Sequence, residues 1–173
     1  MKRDAFLRAV TVDESGFLDR LLGWLGREGV RWCVIGGQAV NAYVDPLVSL
    51  DLDLAIATED LDAVLATLPY GLEVERFPHS VNLSAAESEL RVQIQLDRRY
   101  LAFVERAEEG DVLGHRLPVA RVEDVLDGKI WAASDPARRA SKRQKDLADI
   151  ARLVEAYPQL GERVPGSLRA HLL

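Results

Sequence analysis

The segment that decides the fold reads Val34-Ile35-Gly36-Gly37, then thirteen residues from Gln38 to Leu50, then Asp51-Leu52-Asp53-Leu54. A short apolar run that ends in two glycines predicts a buried strand followed by a tight turn. The residues after the turn indicate a brief helix over 38–44, which ends before Asp45-Pro46. The segment therefore predicts a strand, a glycine turn and a helix, with two aspartates further on.

The two aspartates lie in a second predicted strand, Leu50 to Ile56, in which side chains alternate between the two faces. The alternation places Asp51 and Asp53 on one face and turns Leu52 into the core. Two aligned carboxylates suit Mg²⁺, which prefers oxygen ligands and is commonly held together with substrate phosphates. The glycine turn before a helix lets backbone N–H groups approach a phosphate. The pattern thus predicts a site for a divalent cation and a phosphate.

This order and spacing resemble the nucleotidyltransferase superfamily related to DNA polymerase β. Its signature is hydrophobic-Gly-Gly/Ser, a gap of about nine to thirteen residues, and Asp-h-Asp/Glu-h, where h is hydrophobic. Within it, Gly36-Gly37-Gln38-Ala39-Val40 looks most like the small bacterial AbiEii-type toxin nucleotidyltransferase proteins. The resemblance implies an α/β (α+β) fold, with a mixed-sheet nucleotidyltransferase core and an appended C-terminal helical half.

The resemblance also implies a set of site residues. Asp51 and Asp53 would be catalytic and would hold Mg²⁺ or Mn²⁺. Related proteins carry a Gly-Lys and a Lys/Arg-Asp-x-x-Asp, similar to Gly128-Lys129 and the segment 145–149 here. The residues expected to bind the nucleoside triphosphate are Gly36, Gly37, Ser49, Lys129, Lys142 and Lys145. Asp146 and Asp149 are either metal ligands or salt-bridge partners of Arg139, Arg143 or Arg152 at helical spacing.

Two departures from the family pattern matter. Many relatives have Arg or Lys just before the first aspartate, whereas Leu47-Val48-Ser49-Leu50 keeps only the hydroxyl of Ser49. The third carboxylate of the superfamily lies on a later strand, here Leu90 to Asp97, whose outward face offers Gln93 and Gln95 and an acid only at Asp97. The third metal ligand is therefore either Asp97 or absent. A glutamine in its place would spare nucleotide binding more than transfer.

Periodicity divides the rest of the chain into a sheet core with an N-terminal helix, residues 1–120, and a helical part packed on it, residues 121–173. On the second long strand, Val92, Ile94 and Leu96 are expected to share the buried face. Trp24, Trp32, Trp131 and Cys33 are expected in the core. Further helices are predicted over 13–28, from Leu61 after an N-cap at Thr58, and over 98–107, 122–133 and 137–156, with strands over 72–77, 81–83 and part of 113–120.

The composition fits one domain of 173 residues with a formal charge of −6. One cysteine excludes an intramolecular disulfide framework and a cysteine-based zinc cluster. No apolar stretch approaches the roughly 20 residues of a membrane span, and the start has no secretory pattern, so we expect a cytoplasmic protein without a membrane partner. The five basic residues from Arg138 to Lys145 indicate either a local anion site or a solvated helix face.

The sequence thus favours a Mg²⁺-dependent nucleotidyltransferase that moves a nucleoside monophosphate from an NTP to an acceptor hydroxyl and releases pyrophosphate. The acceptor is not readable, although the basic helix leans towards RNA, and a toxin–antitoxin role would add a cognate antitoxin or other partner protein. One alternative is a catalytically weakened NTP-binding or partner-binding module of the same fold. In the other, Asp51 and Asp53 belong to an ordinary strand and no nucleotide binds.

Overall fold

A seven-stranded mixed sheet in the order β3-β4-β5-β2-β1-β7-β6 forms the centre of the protein. The structure, a computed structural model, describes residues 16–172. The strands are β1 (Arg31–Ile35), β2 (Asp51–Ala57), β3 (Leu72–Arg76), β4 (Ser80–Ala85), β5 (Arg91–Gln95), β6 (Glu108–Val112) and β7 (His115–Val119). The pairs β1/β7 and β2/β5 are parallel and the other pairs are antiparallel. The expected mixed-sheet α/β fold is confirmed.

The helices lie before, between and after the strands along the chain. They are α1 (Phe17–Glu28), α2 (Gly36–Tyr43), α3 (Leu61–Leu65), α4 (Leu101–Arg106), α5 (Val122–Ser134), α6 (Ala140–Ala156) and α7 (Gly166–Arg169), with 3-10 turns at Arg98–Tyr100 and Pro158–Arg163. Residues 13–15 of the first predicted helix lie outside the described part of the chain. No helix within residues 16–172 has the length and apolar character needed to cross a membrane.

The hydrophobic core covers both faces of the central strands. Consecutive residues are buried in both β1 and β2, and consecutive residues of a strand point to opposite faces. Cys33 and Leu52 are fully buried, as predicted, and so is Trp24 of α1. Trp32 is only partly buried and packs against this core. The central register places Ile35 of β1 beside Asp53 of β2, and Asp53 beside Gln93 of β5. The sheet therefore fixes the neighbours of the aspartate strand.

Strand β6 is absent from the sequence prediction, which assigned a helix up to residue 107 and only one extended piece after residue 113. Its sequence, Glu-Glu-Gly-Asp-Val, carries too little apolar character to indicate a strand. β6 nevertheless pairs with β7 through a turn in which both Leu113 and Gly114 have positive φ. A polar, charged sequence is typical of a strand at the sheet edge.

Two further local predictions are wrong. Leu96 does not join the buried face of β5, because the strand ends at Gln95 and the Leu96 side chain is 39% exposed. Thr58 does not cap α3. Asp60 does so instead, since its Oδ1 accepts a hydrogen bond from the Ala63 N–H at 2.9 Å, while Thr58 supports the preceding turn by accepting from the Asp60 N–H.

Candidate active site

The turn between β1 and α2 brings Gly36 against the aspartate strand. Gly36 has φ of 68°, a conformation that residues with a side chain rarely adopt. A Cβ atom at this position would lie 2.2 Å from Oδ2 of Asp53. Gly36 therefore satisfies two requirements at once, since it permits the turn and leaves space for the carboxylate beside the first turn of α2.

Asp53 is a partly buried carboxylate without a direct partner. Within residues 16–172 its side chain neither accepts a hydrogen bond nor forms an ion pair. Burial raises its pKa from 3.8 to about 6, the nearby charge of Lys129 lowers it, and the charge of Asp51 raises it again. At neutral pH the group is ionised in surroundings that lack a compensating contact. Such a carboxylate is suited to receive a cation from outside the chain.

Asp51, two residues earlier, is partly exposed and is already paired with a cation. The register aligns it with Arg91 on β5, whose Nε lies 2.9 Å from Asp51 Oδ1. Lys142 of α6 approaches from the other side, with its Nζ 4.0 Å from Asp51 Oδ2. The sequence offered no basic residue just before Asp51, but the fold supplies two such residues from distant positions.

The two aspartates fit a divalent cation as a pair of oxygen donors on one strand face, with the space at Gly36 left open beside them. The part of the chain that the structure describes contains no group of three or more His, Cys, Asp or Glu residues arranged to hold a metal. Asp97 does not join them. Its carboxylate binds Arg99 at 2.7 Å, and this hydrogen bond holds its pKa below the usual range. Beside Asp53, on β5, stands Gln93.

A cavity of about 730 Å³ opens in front of Asp53, between the sheet and the C-terminal helices. Of the residues predicted for the site, Gly36, Asp53, Asp97 and Lys129 line it, whereas Gly37, Ser49, Asp51, Lys142 and Lys145 lie outside its lining. The Ser49 hydroxyl hydrogen-bonds the backbone of Asp51 at 3.3 Å and so shapes the start of β2. Lys145 is exposed on α6.

Lys129 is held in an ion-pair network on the helical side of the cavity. Its Nζ lies 3.1 Å from Asp146 and 2.8 Å from Asp149, and its side chain is only 11% exposed. Burial alone would lower the Lys129 pKa, but the two carboxylates outweigh burial and hold the pKa above its usual range. Arg138 adds a second cation, with its Nε 2.9 Å from the fully covered Asp146. The lysine is therefore charged and fixed in position.

This network decides between the alternatives for α6 that the sequence left open. Asp149 pairs with Arg152 at i,i+3 spacing, 2.8 Å apart, as one alternative predicted. Asp146 pairs with Lys129 and Arg138, which are distant in sequence, and not with Arg139 or Arg143. Arg143 instead donates to the backbone carbonyls of residues 133 and 135 at the end of α5. Both aspartates are thus salt-bridge partners.

An aromatic cluster on the cavity wall was not anticipated from the sequence. Trp131 was expected in the core, yet it is partly exposed and lines the cavity. Phe103 stacks against its ring with centroids 5.3 Å apart, and Tyr100 meets it edge-on at 5.5 Å. The guanidinium of Arg99 lies over the same ring, 4.4 Å from the centroid. Only the packing of α4 and of the 3-10 turn before it against α5 brings these residues together, so no local sequence signal indicates them.

Solved structures share this arrangement of strands and helices. ANT(2'')-Ia in complex with adenylyl-2''-tobramycin matches with a TM-score of 0.55 and 16% identity over 90% of this chain and 97% of that chain. The lincosamide antibiotic adenylyltransferase LnuA, lincomycin-bound, matches with a TM-score of 0.52 and 16% identity over 83% and 99%. The protein has the nucleotidyltransferase fold.

A third structure with this fold, an antigenic nucleotidyltransferase-like protein from Paracoccidioides brasiliensis, has a TM-score of 0.52 and 19% identity over 84% of this chain and 77% of that chain. Searches of family models and of curated proteins gave no match. The identities are low, so these structures support the nucleotidyltransferase fold alone. The closer resemblance to AbiEii-type proteins stays a prediction.

Proposed function

We propose that the protein is a Mg²⁺-dependent nucleotidyltransferase that transfers a nucleoside monophosphate from an NTP to an acceptor hydroxyl and releases pyrophosphate. The observation that carries the proposal is the close approach of Gly36 to the partnerless carboxylate of Asp53 at the mouth of a large cavity. In the nucleotidyltransferase fold, this is the meeting point of the glycine turn and the aspartate strand.

The residues of the chain divide the work as follows. Asp51 and Asp53 would hold Mg²⁺ or Mn²⁺, which when bound supplies positive charge to the phosphates. The first turn of α2 presents backbone N–H groups beside Gly36, where they can donate to the triphosphate. Lys129, fixed by its two aspartates, faces the same cavity and would bind a phosphate oxygen. Ser49, Lys142 and Lys145 would act further out, by shaping β2 and by attracting the phosphates.

A second candidate function is an NTP-binding or partner-binding module with weakened catalysis. The observation that favours it is Gln93, which stands beside Asp53 where a third carboxylate would help to deprotonate the acceptor hydroxyl. Asp97 does not replace that carboxylate, because Arg99 already occupies it. Such a protein would bind the nucleotide and the metal but would transfer slowly.

The finer parts of the proposal concern the acceptor and the cellular setting. We retain a cytoplasmic protein with a weak preference for RNA, because α6 exposes the basic residues Lys142 and Lys145. A toxin–antitoxin role with a cognate antitoxin belongs to the same hypothesis. The antibiotic adenylyltransferases among the fold neighbours make a small-molecule hydroxyl the competing acceptor.

Calorimetric titration of ATP and GTP, with and without Mg²⁺, tests the proposal. The wild type should bind at least one of them in a metal-dependent way, and Asp53→Asn should abolish that dependence. Asp111→Asn serves as the matched control, because it changes an exposed aspartate on β6 that lies outside the cavity lining. If the wild type binds neither nucleotide, the proposed function fails.

Turnover of α-labelled NTP with mixed acceptors separates the two candidates. Transfer of the labelled nucleoside monophosphate to an acceptor, with release of pyrophosphate, supports the transferase. Metal-dependent binding without release under any acceptor supports the weakened module instead.

A further inference from the structure

Three of the five carboxylates that line the cavity are neutralised by cations of the chain itself. Asp97 binds Arg99, and the buried Asp124 binds Arg106 through two hydrogen bonds of 2.8 and 2.9 Å. Asp146 is shared by two cations, as described above. Of the other two, Asp135 is exposed and accepts a hydrogen bond from a backbone N–H at 2.9 Å. Asp53, the candidate metal ligand, is the second carboxylate of the lining without an ion pair.

A second feature of the cavity is a group of three aromatic rings and one guanidinium. We call these four residues, Arg99, Tyr100, Phe103 and Trp131, the aromatic wall. All four residues line the cavity, and Trp131 is partly exposed. The bidentate hydrogen bonds from Arg99 to Asp97 hold the guanidinium plane against the Trp131 ring. Guanidinium planes and aromatic rings are the surfaces on which nucleobases and similar flat rings stack.

Gly128 allows α5 to pack closely against the rings of the aromatic wall. It lies in the middle of α5, where glycine costs about 1 kcal/mol relative to alanine. A Cβ at this position would lie 3.3 Å from Cε1 of Tyr100 and 3.6 Å from Cε2 of Phe103. The absence of a side chain therefore lets α5 approach the rings closely and brings Trp131 to the cavity.

We propose that the aromatic wall binds a flat, uncharged heteroaromatic ring, such as a nucleobase. The inference deepens the proposed function and rests on it where it speaks of a substrate. The ring belongs either to the NTP or to the acceptor, since both enter the same cavity. The sequence motif contains none of the four residues of this wall.

The test is calorimetric titration of adenosine, which carries a nucleobase but no phosphate and so needs no metal. Adenosine should bind the wild type, and Trp131→Leu should weaken binding about tenfold, the loss expected for one stacked base. Trp131→Phe should restore most of the affinity. Tyr70→Leu is the matched control, because it removes a fully exposed aromatic ring outside the wall.

Arg99→Leu is a second variant in case Trp131→Leu does not fold. The Arg99 side chain is mainly exposed, so its replacement should leave the fold intact. This variant should weaken adenosine binding several-fold. Adenosine binding that is absent in the wild type or unchanged in both Trp131→Leu and Arg99→Leu would overturn the proposal.

A second arm identifies the source of the ring. If adenosine still binds when a non-hydrolysable ATP analogue and Mg²⁺ are saturating, the wall serves the acceptor, and if the two compete, it serves the NTP. Either result supports a ring site. Failure of the proposed function gives a different result. The wild type would then bind adenosine but would show no metal-dependent binding of ATP or GTP.

Discussion

Gly36 and Asp53 are placed so that no side chain can be added to the first without displacing the second. The positive φ of Gly36 and the 2.2 Å between its notional Cβ and Asp53 Oδ2 act together. Gly37, the neighbouring glycine in the same motif, has neither constraint. The two glycines of the motif therefore have different physical roles, which a sequence alone does not distinguish.

Gly36→Ala should lower the free energy of unfolding by at least about 2 kcal/mol, because it adds a left-handed strain to a direct clash. It should also abolish Mg²⁺-dependent ATP binding in the fraction that folds. Gly37→Ala should change stability by less than about 1 kcal/mol, and in the stabilising direction if at all. Urea denaturation of both variants measures this difference, and equal losses would contradict it.

Asp53→Asn should stabilise the metal-free protein. The native state binds the Asp53 proton more tightly than the unfolded chain, because the pKa rises from 3.8 to about 6. The ionised group therefore opposes folding above pH 6, and replacing it should add up to about 3 kcal/mol there. The gain should shrink as the pH falls through 6 and vanish below 3.8.

Urea melts in the presence of a chelator, at intervals from pH 4 to pH 8, provide this measurement. Asp97→Asn is a control of opposite sign, because Arg99 lowers the pKa of Asp97, so its carboxylate stabilises the fold above the unfolded pKa and that contribution is lost as the pH falls. Stability curves of wild type and Asp53→Asn that run parallel at every pH would contradict the prediction.

Asp146→Ala should destabilise the protein by about 3 kcal/mol or more, since it leaves Lys129 and Arg138 beside an empty, covered position. Asp127→Ala provides the comparison. This variant removes an ion pair between Asp127 and Arg163, which lie 2.7 Å apart and are more exposed than Asp146. It should lower the free energy of unfolding by less than about 1 kcal/mol. Thermal melts of the two variants are sufficient, and a small effect of Asp146→Ala would show that the network contributes little to stability.

Arg91→Ala should raise the affinity of the nucleotide-free protein for Mn²⁺ about two- to fivefold, because it removes the cation paired with Asp51 at 2.9 Å. Stability should hardly change, since the pair is exposed. Electron paramagnetic resonance of free Mn²⁺ measures the affinity. Arg116→Ala, which disrupts an exposed arginine pair on β7, is the control and should leave the Mn²⁺ affinity unaltered. A weaker affinity in Arg91→Ala would mean that Arg91 orients Asp51 for the metal.

The sequence was most informative where the signal is local. The strand, glycine turn, helix and aspartate strand were predicted because each depends on residues within a few positions of one another. Leu96 was misassigned because alternation alone does not show where β5 stops pairing, and β6 was missed because an edge strand needs little apolar surface.

The walls of the cavity depend on long-range packing and were mostly out of reach. Nothing in the sequence around Arg91 indicates that the register places it opposite Asp51. Trp131 was expected in the core because a partly exposed tryptophan in an apolar pattern looks the same as a buried one. The sequence predicted that Asp146 could form a salt bridge, but it did not indicate that the partners are Lys129 and Arg138.

The loop between α2 and β2 is tied to the helix by two amides. Gln38 Nε2 donates to the Ser49 carbonyl at 2.8 Å, and Asn41 exchanges hydrogen bonds with both backbone groups of Leu47, at 2.7 and 3.0 Å. The spacing between glycines and aspartates is thus maintained by the side chains of Gln38 and Asn41, which lie one and four residues beyond Gly37. In a comparison with other sequences, insertions and deletions should fall after Asn41, and a search that fixes these two amides should recognise this loop better than one that counts the gap.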